Sequence, residues 1–424
     1  MNSKGGQLFF AALEGRLDDV TRLLDDGVAA DWTCAALAGS TALFGASQNG
    51  HDAVVCALLA ANAAVNHTTH EGETTLMPAA TLGHDAVVCT LLAAQADVNQ
   101  AMTDTSTALA FAACNGHRAI VDMLVAANAT VDAQVTAGAT RLFLAAQCGH
   151  ADVVASLLAA NAFVDHAIEN GFTPLMIAVK NGHFAVVEAL LAANASVDHA
   201  TSKGETALLF AVKYGLTSVV TALLKAHACV NQAGHELDRA TPLAIASDIG
   251  HLPIVMALLG ANAAVDQTNS NGTTPLFLAA QNGHDAVVAA LLAANAAVNH
   301  ANDDGPTALF IASQNGHGAV VASLLAAHAA VNQADKAGAS PLLLAAQNGH
   351  AQVVSTLLAH KANVHLASFN GETALDFATR FGHVHVARQL VSAGAFVNQR
   401  ADETPPTAPP ARRQRLAKTA RIEK

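Results

Sequence analysis

A glycine-histidine pair returns about every 33 residues along most of this chain, and that spacing restricts the possible folds more than any other feature. The pair stands at Gly50-His51, Gly83-His84, Gly116-His117, Gly149-His150 and Gly182-His183, then at Gly250-His251, Gly283-His284, Gly316-His317, Gly349-His350 and Gly382-His383. Around it lies a fixed module, seen most cleanly in residues 274–301, TPLFLAAQNGHDAVVAALLAANAAVNHA. A repeat of this length buries its apolar face against its neighbours, so the chain can grow without dividing into separate globular cores.

Each module reads as two short helices. The copies open with TALF, TTLM, TALA, TRLF, TPLM, TALL, TPLA, TPLF, TALF, SPLL and TALD. A Thr or Ser ahead of an apolar run is a helix N-cap, its hydroxyl meeting an orphan backbone N–H. Pro174, Pro242, Pro275 and Pro341 follow directly, where a missing N–H costs nothing. Leu276, Phe277, Ala279 and Ala280 give the first helix a small apolar face, and Gly283 supplies the left-handed residue that ends it. His284 then opens the second helix, whose Val287, Val288, Leu291 and Leu292 make an apolar face wide enough for two neighbours. Asn295 stands where that helix must stop, as do Asn62, Asn128, Asn161, Asn194 and Asn262, because Asn tolerates the left-handed conformation next best after Gly. A turn such as Asn302-Asp303-Asp304-Gly305 leads into the next copy.

Helix, glycine, helix and β-turn, with T-P-L-x-x-A at the start, resemble the ankyrin repeat. The resemblance covers roughly residues 5–400. It implies an all-α solenoid of stacked helix-turn-helix repeats with β-turn links, curved, with a concave binding face. On this reading residues 5–38 form an N-terminal capping repeat, residues 39–400 form eleven repeats with a two-residue insertion near 233–240, and residues 401–424 form a Pro-rich, basic, disordered tail. Arg16, Asp19 and Arg22 make one face of the first unit polar, as a terminal cap requires. Two departures are systematic. The family's His after T-P-L is here Phe, Met, Leu, Ala or Asp, which predicts a loosened or repacked turn. The usual Gly after the second helix is mostly Asn, with Gly394 of the last repeat keeping it.

Composition then excludes several classes. Although 52% of residues are apolar, runs such as residues 286–294 stop at Asn295, short of the roughly 20 residues a membrane span needs. The N-terminus MNSKGGQLFFAALEGRLDDV lacks the apolar core of a signal peptide. Six cysteines in so long a chain do not make a disulfide framework. Cys56 and Cys89 hold the same position in adjacent repeats, and helices stacked about 8–10 Å apart are too far separated for a bridge. Both are expected to be small buried hydrophobes in a reducing, intracellular setting. Residues 1–399 carry 14 Lys and Arg against 30 Asp and Glu, which argues against a nucleic-acid surface. The tail holds the basic cluster Arg412-Arg413-Gln414-Arg415, a candidate nuclear address, although runs this short are more often solvated tails. A cytoplasmic monomer is the expectation, with the tail as its route to the nucleus.

Ten of the 21 histidines belong to the Gly-His landmark and read as architecture. His67, His166, His199 and His300 form a second set, but only His166 and His199 lie in adjacent repeats, and one stacked pair cannot close a zinc site. HExxH, CxxC, P-loop, GxSxG and GxGxxG motifs are all missing. No catalytic residue, cofactor or metal is therefore expected.

Recognition is expected on the inner surface, made by first helices and turn tips, with the Val/Leu second helices outside. The two residues before Gly-His and those flanking the turn glycine read as free of packing duty. Most copies are bland there (Gln281-Asn282, Gln314-Asn315, Gln347-Asn348), whereas Lys180-Asn181, Lys213-Tyr214, Asp248-Ile249 and Arg380-Phe381 stand out. At the turns, Phe172, Lys203, Glu205, Arg239, Phe369 and Glu372 stand out similarly. Between Gly215 and Gly250 the period slips to 35 residues, Leu216 replaces the landmark His, and Tyr214 is the only tyrosine. Residues 170–250 are thus the first candidate for a partner site and residues 369–381 the second. The function expected is a non-catalytic scaffold or adaptor that binds protein partners. The alternative is a substrate-recognition subunit, or fragment, of a ubiquitin-ligase or kinase-linked ankyrin protein.

Overall fold

The computed structural model describes residues 3–235 and 238–396. The 401–424 tail and its basic cluster lie outside the described residues. Among the described residues twenty-four α-helices alternate as short pairs, the all-α helix-turn-helix arrangement that the period implied.

Local chemistry sets the helix ends. Thr41, Thr140, Thr173, Thr206, Thr241, Thr307 and Ser340 each accept a hydrogen bond from the backbone N–H three residues on. Gly116 closes its helix at φ +81°. At the end of the second helix Asn161 is left-handed at φ +61°, and Gln95, His227, His328 and Lys361 take the same conformation where Asn is lacking. Gly27 sits there too, at φ +79°, so Gly394 is not alone in keeping the glycine. Most links are small hairpins, as where Thr201 N donates to Glu205 O at 2.9 Å. The first link widens into the antiparallel pair Thr33–Cys34 and Ser40–Thr41.

The helices fall into two compact units. In the first, which holds residues 1–278, first helices stack on first helices and second on second, from Lys4–Leu13 to Leu252–Gly260. Its first helix pair carries exposed ion pairs, Arg16–Asp19 at 2.6 Å, Arg22–Asp19 at 2.5 Å and Lys4–Asp26 at 3.2 Å. Val54, Val55 and Leu58 are buried in the helix Asp52–Ala60, whereas Leu59 is half-buried, so the inward face is three residues wide. Cys56 and Cys89 are exposed, contrary to the sequence expectation. The two valines before each and the leucine two residues after it occupy the inward face and leave the cysteine pointing away from it.

In the second unit the first helices Ala308–Asn315, Pro341–Gln347 and Ala374–Arg380 stack, as do the second helices Gly318–Ala326, Ala351–Ala359 and Val384–Ser392. Here the missing family His is replaced by apolar packing: Phe310 joins Ala339 and Leu343 of the following repeat, with Leu344 and Phe377 against them. In the last repeat Asp376 does the tying itself, accepting from the Thr373 N–H and Thr373 Oγ1, both at 2.8 Å. The turn is repacked.

Three hydrogen-bond sets join successive repeats within each unit. The landmark histidine donates from Nε2 to a carbonyl at the end of the preceding first helix. His51 thus reaches Leu13 at 3.1 Å, His117 reaches Thr81 at 2.9 Å and His350 reaches Gln314 at 3.0 Å. The Asn or Asp of most Val-Asx pairs accepts from the next repeat's backbone, as Asn66 does from Asp97 N at 2.8 Å and Asn332 from Asn363 N at 2.9 Å. Turn tips join by backbone bonds such as His235 N to Lys203 O at 3.1 Å and Phe369 N to Ala337 O at 3.0 Å.

Candidate partner-binding face

The residues that depart from the module fall into groups within single repeats or between neighbours. Phe172, on the turn before the helix Pro174–Lys180, lies 5.2 Å from the Phe210 ring on the next first helix. Lys180, at the end of Pro174–Lys180, places its ammonium 5.2 Å from the Phe172 ring centroid. One repeat on, Lys213 Nζ lies 3.9 Å from Glu205 Oε1. Turn and first helix therefore share one face, because both pairs run from the turn to the helix's last residue.

The same device recurs at the second candidate. Arg380 pairs with Glu372, eight residues earlier as in the Lys213–Glu205 pair, and its guanidinium lies 5.4 Å from the Phe377 centroid. Phe377 and Phe381 stack at 6.2 Å. Phe369 is 80% exposed, and its ring lies over Gly338, where an added Cβ would come within 2.9 Å of it.

Phe172, Lys180, Glu205 and Lys213 are thus brought together on adjacent repeats, as are Glu372, Arg380 and Phe381. Tyr214, Lys203, Arg239 and Asp248 are exposed in the same part of the chain. Arg239 and Asp238 are left-handed, at φ +57° and +49°, where the longer link turns. Phe210 and Phe377 were not singled out in the sequence, where they fall within the apolar run of a first helix. A cation at the end of the same first helix was the available signal.

One sequence expectation needs correction. The position before Gly-His is not free of duty: Asn49, Asn181, Asn315 and Asn348 donate to the carbonyls of Leu13, Gln147, Gln281 and Gln314 in the preceding repeat, at 2.6–3.0 Å. Tyr214, Ile249 and Phe381 stand where that bond would otherwise form. Leu216 also removes the histidine bond at its junction, and Gly182, which would face that ring, has nothing within 4 Å of an added Cβ. At the next junction His251 Nδ1 is buried with no hydrogen-bond partner.

Arg141 was likewise read only as a variant of the opening tetrad. It is fully buried, donates to Ala133 O, and donates to Thr107 Oγ1 of the preceding repeat at 2.9 Å. Burial pushes its pKa down, and the charge of Asp132 pulls it back up. Among the described residues no cluster of three or more His, Cys, Asp or Glu is placed to hold a metal ion. No helix among them is long and apolar enough to cross a membrane.

The family model described as "Ankyrin repeats (3 copies)" matches residues 8–102, 97–167, 142–233, 243–335 and 309–401. The chain belongs to the ankyrin-repeat family. Ankyrin repeats generally mediate protein–protein interaction, and the fold is typically a non-catalytic interaction domain. Among solved structures this ankyrin chain is similar to the crystal structure of the human ASB11 ankyrin repeat domain. The match has 30% sequence identity and a TM-score of 0.47, and covers 52% of this chain and 96% of that one. No curated protein matches it.

Proposed function

We propose that this ankyrin-repeat chain is a non-catalytic scaffold or adaptor that holds a protein partner on the face formed by its first helices and turn tips, centred on residues 172–249. The observation that carries the reading is the Phe172–Phe210–Lys180 group beside exposed Tyr214. Aromatic rings offer contact area at little entropic cost, and a lysine already resting on a ring has less freedom to lose on binding. The Lys213–Glu205 pair, with the lysine side chain 41% exposed, holds its partner weakly enough to exchange it for a carboxylate of the ligand. Residues 369–381 offer a second site of the same make. The six free cysteines favour a reducing compartment.

Capture of partners by the full chain beside a Lys213→Ala/Tyr214→Ala/Arg239→Ala variant tests the assignment. Loss of a partner that Arg380→Ala/Phe381→Ala retains supports the first site. An identical set of partners, bound equally well by all three proteins, removes it.

A further inference from the structure

Two of the six cysteines meet. Cys114 lies next to last in the helix Ala108–Asn115, and Cys148 ends the helix Arg141–Cys148 of the following repeat. They are 34 residues apart, one more than the period. Since one residue turns a helix by about 100°, cysteines in equal register would point the same way, whereas this offset lets the two side chains converge. The sulfurs are 3.3 Å apart. Cys148 is exposed and Cys114 partly so, which admits a small oxidant.

The approach is built into the junction. At one end of the helix pair Arg141 donates to Thr107 Oγ1 at 2.9 Å, and at the other His150 Nε2 donates to the carbonyl of Cys114 itself, also at 2.9 Å. Both helices are therefore tied at both ends, and the sulfurs need close by only about 1.3 Å to reach bonding distance.

We propose that Cys114 and Cys148 are a redox modification site, oxidised by a peroxide to a reversible disulfide that staples two adjacent repeats. In the first step the Cys114 thiolate attacks one peroxide oxygen, breaking the O–O bond; Cys114 becomes a sulfenic acid and hydroxide leaves. In the second the Cys148 sulfur attacks the sulfenic sulfur, the S–O bond breaks, and the Cys148 proton leaves with the departing hydroxide as water. Two thiols and one peroxide thus give one disulfide and two waters. Burial and the bond to Cys114 push the Cys148 thiol up to about 11, so it keeps its proton until Cys114 is oxidised and that bond is lost. Gln147, in the second of the helices so joined, accepts from Asn181 at 2.9 Å through its carbonyl, so the staple acts one repeat away from Lys180. It does not depend on the partner reading.

The test treats the reduced full chain with rising hydrogen peroxide, alkylates the remaining thiols, digests, and reads the peptides by mass spectrometry. The expected result is loss of both alkylatable thiols at Cys114 and Cys148, with their peptides joined, at doses that leave Cys56, Cys89 and Cys229 alkylatable; dithiothreitol restores both. In Cys114→Ala, Cys148 stays alkylatable at the same dose. Circular dichroism of that variant reports whether it folds, and the wild-type digest decides the question independently. Either of two results overturns the proposal: both thiols remaining free after the exposed cysteines have reacted, or each being found as a sulfinic acid or bridged to a second chain.

Discussion

His350 Nε2 lies 3.0 Å from the carbonyl oxygen of Gln314, and its ring covers Gly316, so one side chain joins two repeats and fixes the glycine between them. An added Cβ on Gly316 would come within 2.7 Å of that ring. The Gly-His landmark is therefore a contact between successive copies as well as a helix boundary. The glycine of one repeat receives the histidine of the next.

This relationship separates two otherwise equivalent glycines. Gly316 and Gly182 are both left-handed, at φ +80° and +77°, so alanine costs each about 1 kcal/mol of backbone strain. Only at Gly316 does the new methyl also meet an imidazole. Gly316→Ala is expected to lose about 1–2 kcal/mol more than Gly182→Ala in urea unfolding. Adding His350→Ala should abolish that excess, and a double-mutant cycle with no coupling would reject the account.

The repeat at residues 206–231 lacks the landmark histidine and asparagine side-chain bonds on both sides, through Leu216 and Tyr214 at one junction and through Ile249 and the unpartnered His251 Nδ1 at the other. Its Asx bonds persist, with Asp198 to Cys229 N at 2.7 Å and Asn231 to Ala264 N at 2.8 Å. Native-state hydrogen exchange should find the amides of Ala207–Lys213 and Thr217–Lys225 about tenfold less protected than those of Ala108–Asn115 and Arg118–Ala126, since each missing bond is worth about 1 kcal/mol. Tyr214→Asn/Leu216→His should restore part of that protection. Equal protection in the unmodified chain would place the stability elsewhere.

Features that act within a few residues were legible in the sequence. Thr173 as a cap, Pro174 behind it and Asn161 as a left-handed stop follow from backbone chemistry alone. Bonds between repeats were not legible, because the recurrence of His and Asx shows only that the positions matter. Their partners, 36 residues back for His350 and 31 ahead for Asn332, depend on how one copy lies over the next. Asn181 was read as unemployed for that reason. The cysteines failed similarly: Cys56 and Cys89 drew attention through equal register, whereas the one-residue offset of Cys114 and Cys148 is what brings sulfurs together. At the candidate face the outlying residues were identified, but Phe210 and Phe377, inside the apolar run of their helices, were passed over and the turn-to-helix pairings went unseen.

Arg141 provides a test of buried polar chemistry in place of a proline or alanine. It holds the carbonyl of Ala133 and takes the hydroxyl of Thr107, which makes no cap bond to its own helix. Arg141→Ala leaves a buried carbonyl unpaired and a space behind it, and should cost about 2 kcal/mol. Arg141→Lys, with one head group for two acceptors, should recover only part of that. Wild-type urea stability in both variants would show that the buried guanidinium contributes nothing net.

Glu73, Glu205 and Glu372 all precede the threonine that opens a module, Thr74, Thr206 and Thr373, yet their surroundings differ. Glu205 and Glu372 have Lys213 and Arg380 eight residues on, whereas Glu73 has Thr81 there. Burial, and after it the charge of Glu71, push the Glu73 carboxyl above the usual range. A carboxyl whose folded pKa is raised keeps its proton longer in the folded state than in the unfolded one. Stability therefore falls as pH rises from the unfolded value, about 4.3, through the folded one, and the full cost is present near pH 7. Glu73→Gln should be more stable than wild type near pH 7, with the difference fading below about pH 4. Thr81→Arg, which supplies the missing cation, should pull the carboxyl back down and leave Glu73→Gln without its advantage. Urea midpoints measured across that range check the sign, and a Glu73→Gln gain that is the same at both ends of it would assign the effect to packing instead of charge.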